Sequence, residues 1–512
     1  MHDYIVVGAG SAGAPLAARL SEDPARRILL LEAGPDYPSL AETPADLLDS
    51  RNLAGFEHDW HFVASPVPGR TIPYRRGKVV GGGSATNAAA AMWGRPADFA
   101  AWAGLGNPEW TWDHVLPYFQ RLESERDAPG PLHGTGGPLP ICRYGAAELI
   151  PIQRAFHTAC LAVGFADVLD HNEPDKSGVG PWPMNRDGVT RISTSLAYLG
   201  PARDRPNLTI QPDSPVGRVL LDHGRAVGVE LAGARTGEPL HGERIVLSAG
   251  AIASPAILLR SGIGPAADLE ALGLEVRRDL PGIGTELWDH PAVPIRLAPK
   301  PGHCIPGRDP RLQMVARFTA PQSTEPDDMQ VLLVSHLDLT PFPALREQAG
   351  VPVVALLNVA LMRPRGHGRL SLASSDPGVQ PSIELRFCTE REDLRRLMAG
   401  ARLAWQIATS APLVQETERI IGLSGEIVGS DERLAAYVLD NVGTYCHALG
   451  TARMGPDGDP GAVVDQYCRI RGVDNLWVVD ASVIPAIPRV PPNLIAIMVG
   501  ERVADWLRAG DA

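Results

Sequence analysis

The chain has 512 residues, 44% of them hydrophobic in type, with a formal net charge of −12. That length holds two or three domains' worth of core, and the composition is that of an ordinary globular protein. An acidic surface repels phosphate backbones, so nucleic acid and anionic membranes are poor partners.

The first residues, MHDYIVVGAG, run at once into a strand-like apolar segment. No basic, cleavable leader precedes it, and no run of about eighteen apolar residues follows anywhere, so the sequence predicts a cytoplasmic protein without a transmembrane span. Tyr4 to Val7 reads as a strand and leads into Gly8-x-Gly10-x-x-Gly13. A helix with Leu16, Ala17 and Leu20 on one face comes next, then a second strand, Ile28 to Leu31. It ends on Glu32, 19 residues beyond the third glycine. Gly8 permits the tight turn, Gly10 lets the backbone approach a pyrophosphate, and Gly13 lets helix and strand pack closely. The pyrophosphate would sit at the positive helix N-terminus, and Glu32 would accept from a ribose diol. Pro15 falls in the first turn, where no intrahelical N–H is yet needed. This unit predicts a bound dinucleotide and leaves NAD and FAD both open.

From Pro35 to about Arg76 proline is frequent and periodicity is lost, which suggests a long excursion over the cofactor. GKVVGGGSATNAAAAMWGRPADF, Gly77 to Phe99, opens a backbone path where something flat or anionic comes close, with Asn87 a candidate amide contact. A glycine-rich turn leading into an alanine-rich helix reads equally well. Leu122 to Pro140 is a loop or boundary by its Pro and Gly content. NLTIQPDSPVGRVLLDHGRAVGVEL has the alternation of a hairpin about a DHG turn. ERIVLSAGAIASPAILLRSGIG predicts a buried strand, a turn and a short helix from Ser254. Several short β-type runs between about Pro291 and Thr389 predict a mostly antiparallel sheet inserted as a second domain, and Glu390 to about Thr409 predicts a helix. In TYCHALGTARMG, Cys446 stands directly beside His447. The end returns to α/β style, with a strand finishing on Asp480 and a helix, NLIAIMVGERVADWLRA, opened by Asn493.

Six cysteines, Cys142, Cys160, Cys304, Cys388, Cys446 and Cys468, are scattered without a C-x-x-C, so neither a metal site nor a disulfide framework is predicted. Idle thiols in a reducing compartment are the expectation. Adjacent residues usually project apart, so Cys446 reads as a wall of a substrate pocket rather than the partner of His447.

Three widely separated motifs then agree. The Gly8–Glu32 unit, GKVVGGGSATN, and GAIASPAILLRSGIG (Gly250 to Gly264) together resemble the glucose–methanol–choline (GMC) oxidoreductases, which use FAD. HALGTARMG and PPNLIAIMVGERVAD correspond to that family's two C-terminal active-site segments, so the resemblance covers nearly the whole chain. It is similar above all to the bacterial branch with choline dehydrogenases and oxidases of aryl and furan alcohols. The resemblance implies an α/β fold: a Rossmann-like FAD-binding domain over residues 1–150, 190–290 and 430–512, and an antiparallel-sheet (α+β) substrate domain over 151–189 and 291–429. It places His447 on the catalytic histidine and Asn493 on the second active-site position. It places Gly8, Gly10, Ser11, Ala12, Gly13, Glu32, Ala33, Val79 and Gly83 along the cofactor, with Asn87, Ala88, Ala89 and Ala90 lining the flavin. Val216 would contact the adenine end, and Asp480 and Ala481 would lie near the ribityl chain and pyrophosphate. Thr86 stands where some members carry a histidine joined covalently to the flavin, so non-covalent FAD is expected. A bulky aromatic precedes the catalytic histidine in similar enzymes, and Cys446 in its place would reshape the pocket.

The implied activity is oxidation of an alcohol CH–OH group to the carbonyl. His447 would take the hydroxyl proton, Asn493 would hold the developing alkoxide, and hydride would pass to flavin N5. A neutral imidazole near its ordinary pKa suits that proton step. Oxygen, a quinone or another redox carrier would accept the electrons; no haem-binding C-x-x-C-H is present, so any carrier is a separate molecule. The alternatives are a cyanohydrin-cleaving lyase of the same family with non-redox FAD, a light-driven decarboxylase, and outside the family an NAD-dependent dehydrogenase. For single residues the bland readings are a structural His447 and an Asn493 that serves only as a helix cap.

Overall fold

The computed structural model describes residues 1–128, 130–233 and 237–510. Five strands lie parallel in the order Leu208–Gln211, Ile28–Leu31, His2–Val7, Leu240–Leu247 and Leu476–Val478. Ile28–Leu31 and the last four residues of His2–Val7 are wholly buried, as a covered parallel sheet requires, which is why both read as unbroken apolar runs. The hairpin Val216–Asp222 with Arg225–Leu231 joins this sheet through the first residues of Leu240–Leu247. Its expected upstream part behaves differently: Leu208–Gln211 pairs with Ile28–Leu31 instead. Pro212 cannot continue a ladder, and Asp213 takes φ 50°, so the chain turns out of the parallel sheet before Val216.

The helix expected from Ser254 begins four residues earlier, as Gly250–Arg260. Pro255 lies inside it and cannot donate to the carbonyl of Ala251. That carbonyl accepts the Thr451 hydroxyl at 2.7 Å, so a distant segment repairs the missing bond. The Ser254 hydroxyl donates to Asp480 at 2.6 Å and accepts the Ala249 amide at 3.0 Å, which fixes the start of the helix against the strand that ends beside it.

The second sheet is antiparallel, in the order Thr417–Ile421, Pro291–Pro299, Val353–Leu361, Met329–Asp338, Met314–Phe318 and Val179–Pro181, with Gly443–Thr444 also on the Pro291–Pro299 strand. The helix Arg391–Ala408 packs on it through Leu397, Gly400, Ala401, Ala404 and Ile407, the stripe its periodicity predicts. Two of the expected strands leave this sheet. Arg369–Ser371 and Ser382–Glu384 form a separate hairpin that docks on Ser65 by backbone hydrogen bonds. Among the described residues no helix is long and apolar enough to cross a membrane, and all six cysteines are unbridged.

The chain ends meet around the glycine loop. The helices Gly13–Leu20 and Asn493–Ala509 pack together, and a Cβ on Gly500 would lie 2.3 Å from the carbonyl oxygen of Ala12. Buried Glu501 takes Arg19 at 2.9 Å and Arg121 at 2.6 Å, tying both ends to the helix Trp112–Leu122. Gly500→Ala should therefore push the glycine loop, lowering stability by roughly 1–3 kcal/mol. Thermal unfolding and the FAD content of the purified variant would check this.

Histidine burial sets a second expectation. Burial lowers His290 and His336 to about 4 and, with Arg317 and Arg95 nearby, His171 to about 3. His133 goes the other way. Burial disfavours its charge, but hydrogen bonds to Asp170 and Glu123, each 2.8 Å, raise it to about 9. Unfolded histidines titrate at about 6.5. The neutral histidines thus cost stability progressively as pH falls below that value, because only the unfolded chain gains protons. The His133 contribution is fully present below about 6.5 and is lost as pH rises through 9. Urea midpoints should fall on both sides of a maximum near neutrality, and His133→Gln should flatten the alkaline limb.

Candidate active site

One cavity of about 650 Å³ runs from the glycine loop to His447. Its wall takes Gly8, Gly10, Ser11 and Ala12, then Glu32 and Ala33 from the end of the second strand. Gly8 adopts φ 101°, and a Cβ there would meet the Ser248 carbonyl oxygen at 2.4 Å, so glycine is required by both conformation and space. No side chain caps the helix Gly13–Leu20; the Gly10 carbonyl takes the Ala14 amide at 3.1 Å and Pro15 has none to offer, so the amides left without a protein partner among the described residues include those of Ser11 and Ala12, two residues that line the cavity. Glu32 is buried, accepts the amides of Ala9 and Gly34 at 3.0 and 2.9 Å, and is raised by burial to about 7. Gly83, Asn87, Ala88, Ala90, Val216, Asp480, Ala481 and Cys446 also line the cavity. Three expected residues do not: Gly13 packs against the Gly8 carbonyl, Ala89 is fully buried, and Val79 faces a small apolar cluster with Leu47, Ala54 and Ala85.

At the other end, Asp289 builds the turn that presents His447. One carboxylate oxygen accepts the amides of His447 and His290 at 2.9 and 2.7 Å. The other accepts the Tyr74 hydroxyl at 2.7 Å and the Thr444 hydroxyl. Cys446 takes φ 62°, a left-handed conformation costing of order 1 kcal/mol in a residue with a Cβ. Thr444 Oγ1 accepts its amide at 2.6 Å, and Arg76 donates to its carbonyl at 2.7 Å, so the turn is held on both sides. Burial raises the Cys446 thiol, which is therefore an uncharged wall.

His447 Nδ1 lies 2.8 Å from His290 Nδ1, and His290 Nε2 lies 2.8 Å from the Pro488 carbonyl oxygen. A carbonyl can only accept, so His290 carries its proton on Nε2 and offers a lone pair at Nδ1. His447 must then donate from Nδ1, which leaves Nε2 as the unprotonated nitrogen on the cavity side. Burial, then the neighbouring His290 and Arg76, lower the His447 pKa well below its ordinary value. This differs from the near-ordinary value the sequence suggested. An imidazole so placed stays a base across neutral pH.

Asn493 is the first residue of the last helix, and no side chain caps that helix. Its Oδ1 accepts the Ser11 hydroxyl at 2.9 Å, and its buried Nδ2 has no partner among the described residues. The capping role is thus not taken, and a buried amide donor is left unpartnered on a residue that lines the cavity. Asp289, His290, Tyr74 and Arg76 were not reached from sequence. His290 stands 157 residues from His447, and an Asp-His pair opening an ordinary strand carries no spacing signal.

The matching family model is GMC oxidoreductase, over residues 2–292 and 364–500. The chain belongs to the GMC oxidoreductase family. It is 34% identical to the 5-(hydroxymethyl)furfural oxidase of Methylovorus sp. (strain MP688), covering 98% of each chain. It is 32% identical to the oxygen-dependent choline dehydrogenase of Photobacterium profundum, covering 98% of this chain and 92% of that one. The crystal structure of pyridoxine 4-oxidase from Mesorbium loti superposes with a TM-score of 0.89 at 31% identity, over 99% of both chains. This GMC oxidoreductase is an FAD-dependent enzyme that oxidises alcohols. Its cavity fits that cofactor by its own features: glycine backbone where a phosphate approaches, the unpartnered Ser11 and Ala12 amides, and an unpartnered amide donor on Asn493 beside them. No finding favours the cyanohydrin-cleaving alternative.

His290→Phe should remove the acceptor that fixes the His447 tautomer. Flavin reduction is expected to slow about 10- to 100-fold, the cost of one unsatisfied buried donor. The loss should appear in the reduction rate rather than in KM, with FAD retained.

Proposed function

We propose that His447 and Asn493 together grip a substrate hydroxyl. His447 Nε2 accepts the hydroxyl proton, and Asn493 Nδ2 donates to the same oxygen as negative charge grows on it. The pairing of a free acceptor with a free, buried donor in one cavity is the observation that carries this reading. When bound, FAD supplies the hydride-accepting chemistry. His290 is a positioning residue: it holds the His447 proton at Nδ1 and so keeps the reactive nitrogen bare. Ser11 does the same for Asn493 by fixing its amide with oxygen turned away.

In this reading Gly8, Gly10, Ser11 and Ala12 approach the pyrophosphate. Glu32 accepts the ribose diol with the lone pairs its two amide bonds leave over. Val216 meets the adenine, Asp480 and Ala481 meet the ribityl chain, and Gly83, Asn87, Ala88 and Ala90 line the flavin, which Thr86 leaves non-covalent. Residues 1–150, 190–290 and 430–512 hold FAD around the parallel sheet, and 151–189 and 291–429 supply the antiparallel roof. A hydroxymethyl group on an aromatic ring is the proposed donor, as the name of the 5-(hydroxymethyl)furfural oxidase states for that protein. Oxygen is the proposed acceptor, and the unbridged cysteines suit a cytoplasmic setting.

His447→Ala should slow anaerobic flavin reduction by roughly 10²–10⁴-fold with FAD retained. Asn493→Ala should cost roughly 10²–10³-fold. Near-normal reduction by the histidine variant would remove it from the proton step. In the native enzyme the reduction rate should stay level as pH falls past about 6.5, because the depressed His447 pKa keeps the base neutral there.

A further inference from the structure

The substrate side of the cavity has an unbalanced charge. Three carboxylates line the whole cavity, and each is occupied. Glu32 accepts two amides, Asp480 accepts Ser254, Ser482 and the Gly250 amide, and Asp59 holds Arg75 and the amides of His61 and Arg76. None is left to face a cation. Arg311 also lines this cavity, and among the described residues its guanidinium has neither a hydrogen-bond acceptor nor an ion-pair partner. Burial, and then the charge of Arg75, lower it to about 10, and no anion offsets them. Arg311 is half-buried, so its charge is partly desolvated and has no counter-ion to offset that cost.

Its position relative to His447 follows from strand register. The Tyr445 ring lies edge-on to His447 at 5.5 Å, and its hydroxyl reaches the carbonyl of Asn358. Asn358 pairs across with Leu332, which lines the cavity together with Val334 on the same face of the sheet. The next residue, Ser335, donates its amide to the carbonyl of Arg311 at 2.8 Å. Arg311 is thus seated beside Ser335, three residues (about 10 Å) further along the roof than the Leu332–Asn358 pair. The wall between is apolar, formed by Leu312, Leu332 and Val334.

We propose that this enzyme takes alcohols whose far end is an anionic oxygen group, seated on Arg311 while the hydroxyl reaches His447. The inference rests on the alcohol-oxidising reading and adds the substrate class. A planar guanidinium receives a carboxylate through two parallel N–H bonds and accepts a sulfonate as well. An apolar body would fill the space against Leu332 and Val334. A quaternary ammonium, by contrast, would meet Arg311 with no carboxylate to offset it.

The test compares 4-(hydroxymethyl)benzoate, 4-(hydroxymethyl)benzenesulfonate and 4-(hydroxymethyl)benzamide as reductants of the holoenzyme under anaerobic conditions. The native enzyme should favour the anions over the amide by about 10- to 100-fold in the second-order rate of flavin reduction, the worth of a charged hydrogen bond. Carboxylate over sulfonate would mark the seat as a carboxylate site, and the reverse order a sulfonate site. In Arg311→Gln the ratio should collapse toward one, and Arg311→Lys should restore part of it. Terephthalate, which has no hydroxyl, should perturb the flavin spectrum of the native protein and bind at least about ten-fold more weakly to Arg311→Gln. Equal rates for anions and amide in the native enzyme would overturn the proposal, whether or not the variants fold. So would an anion preference that survives in Arg311→Gln. If no alcohol reduces the flavin, the redox reading fails, and terephthalate binding alone decides whether Arg311 holds an anion.

Discussion

The site depends on a hydrogen bond between two neutral imidazoles. His290 can accept from His447 only because the Pro488 carbonyl takes its other proton. His447 can stay bare at Nε2 only because burial keeps both rings uncharged. Asp289 supports this arrangement from outside the rings, by accepting both backbone amides and two hydroxyls. A carboxylate bonded to the imidazole itself would favour the charged form. Here the carboxylate fixes the backbone and leaves the proton inventory to a carbonyl.

The same economy of charge runs through the cavity. Its carboxylates are spent on amides, hydroxyls and one arginine, and its helix N-termini are left without side-chain caps. The wall therefore presents donors rather than acceptors to whatever binds, with His447 Nε2 the bare acceptor at one end. That asymmetry suits phosphates at the glycine loop and an oxygen that becomes negative beside Asn493. Arg311, in the same wall, adds a further group that can only donate.

Close backbone approach is what lets distant segments share one cavity. Gly8 touches the strand end at Ser248, and Gly82 touches Gly10; with side chains in their places, neither contact would form. The Thr451 hydroxyl, four residues beyond His447, completes the helix that Pro255 would otherwise weaken. The active-site segment is thereby anchored to the FAD-side framework on one flank and to the Pro291–Pro299 strand, through Gly443–Thr444, on the other.

Local chemistry made part of this legible in advance. A glycine spacing with an acid at the right distance implies a dinucleotide loop because the turn, the close approach and the helix terminus all act within a few residues. The wholly buried strands and the amphipathic stripe of Arg391–Ala408 were readable for the same reason, since periodicity is a local property. The departures came where a partner far along the chain decides: Leu208–Gln211 went to the parallel sheet, and the helix began at Gly250 once Thr451 and Asp480 were in place. His447 and Asn493 stood out by motif, but their tautomer and amide orientation did not. Those states depend on Pro488, His290 and Ser11, whose contacts span 198, 157 and 482 residues. The sequence by itself determined the kind of loop and the family, and it singled out His447 and Asn493 as candidates for the site. Which nitrogen is bare, which donor is free and that Arg311 lacks a counter-ion among the described residues were decided only by tertiary structure, because each is settled by what a group fails to touch.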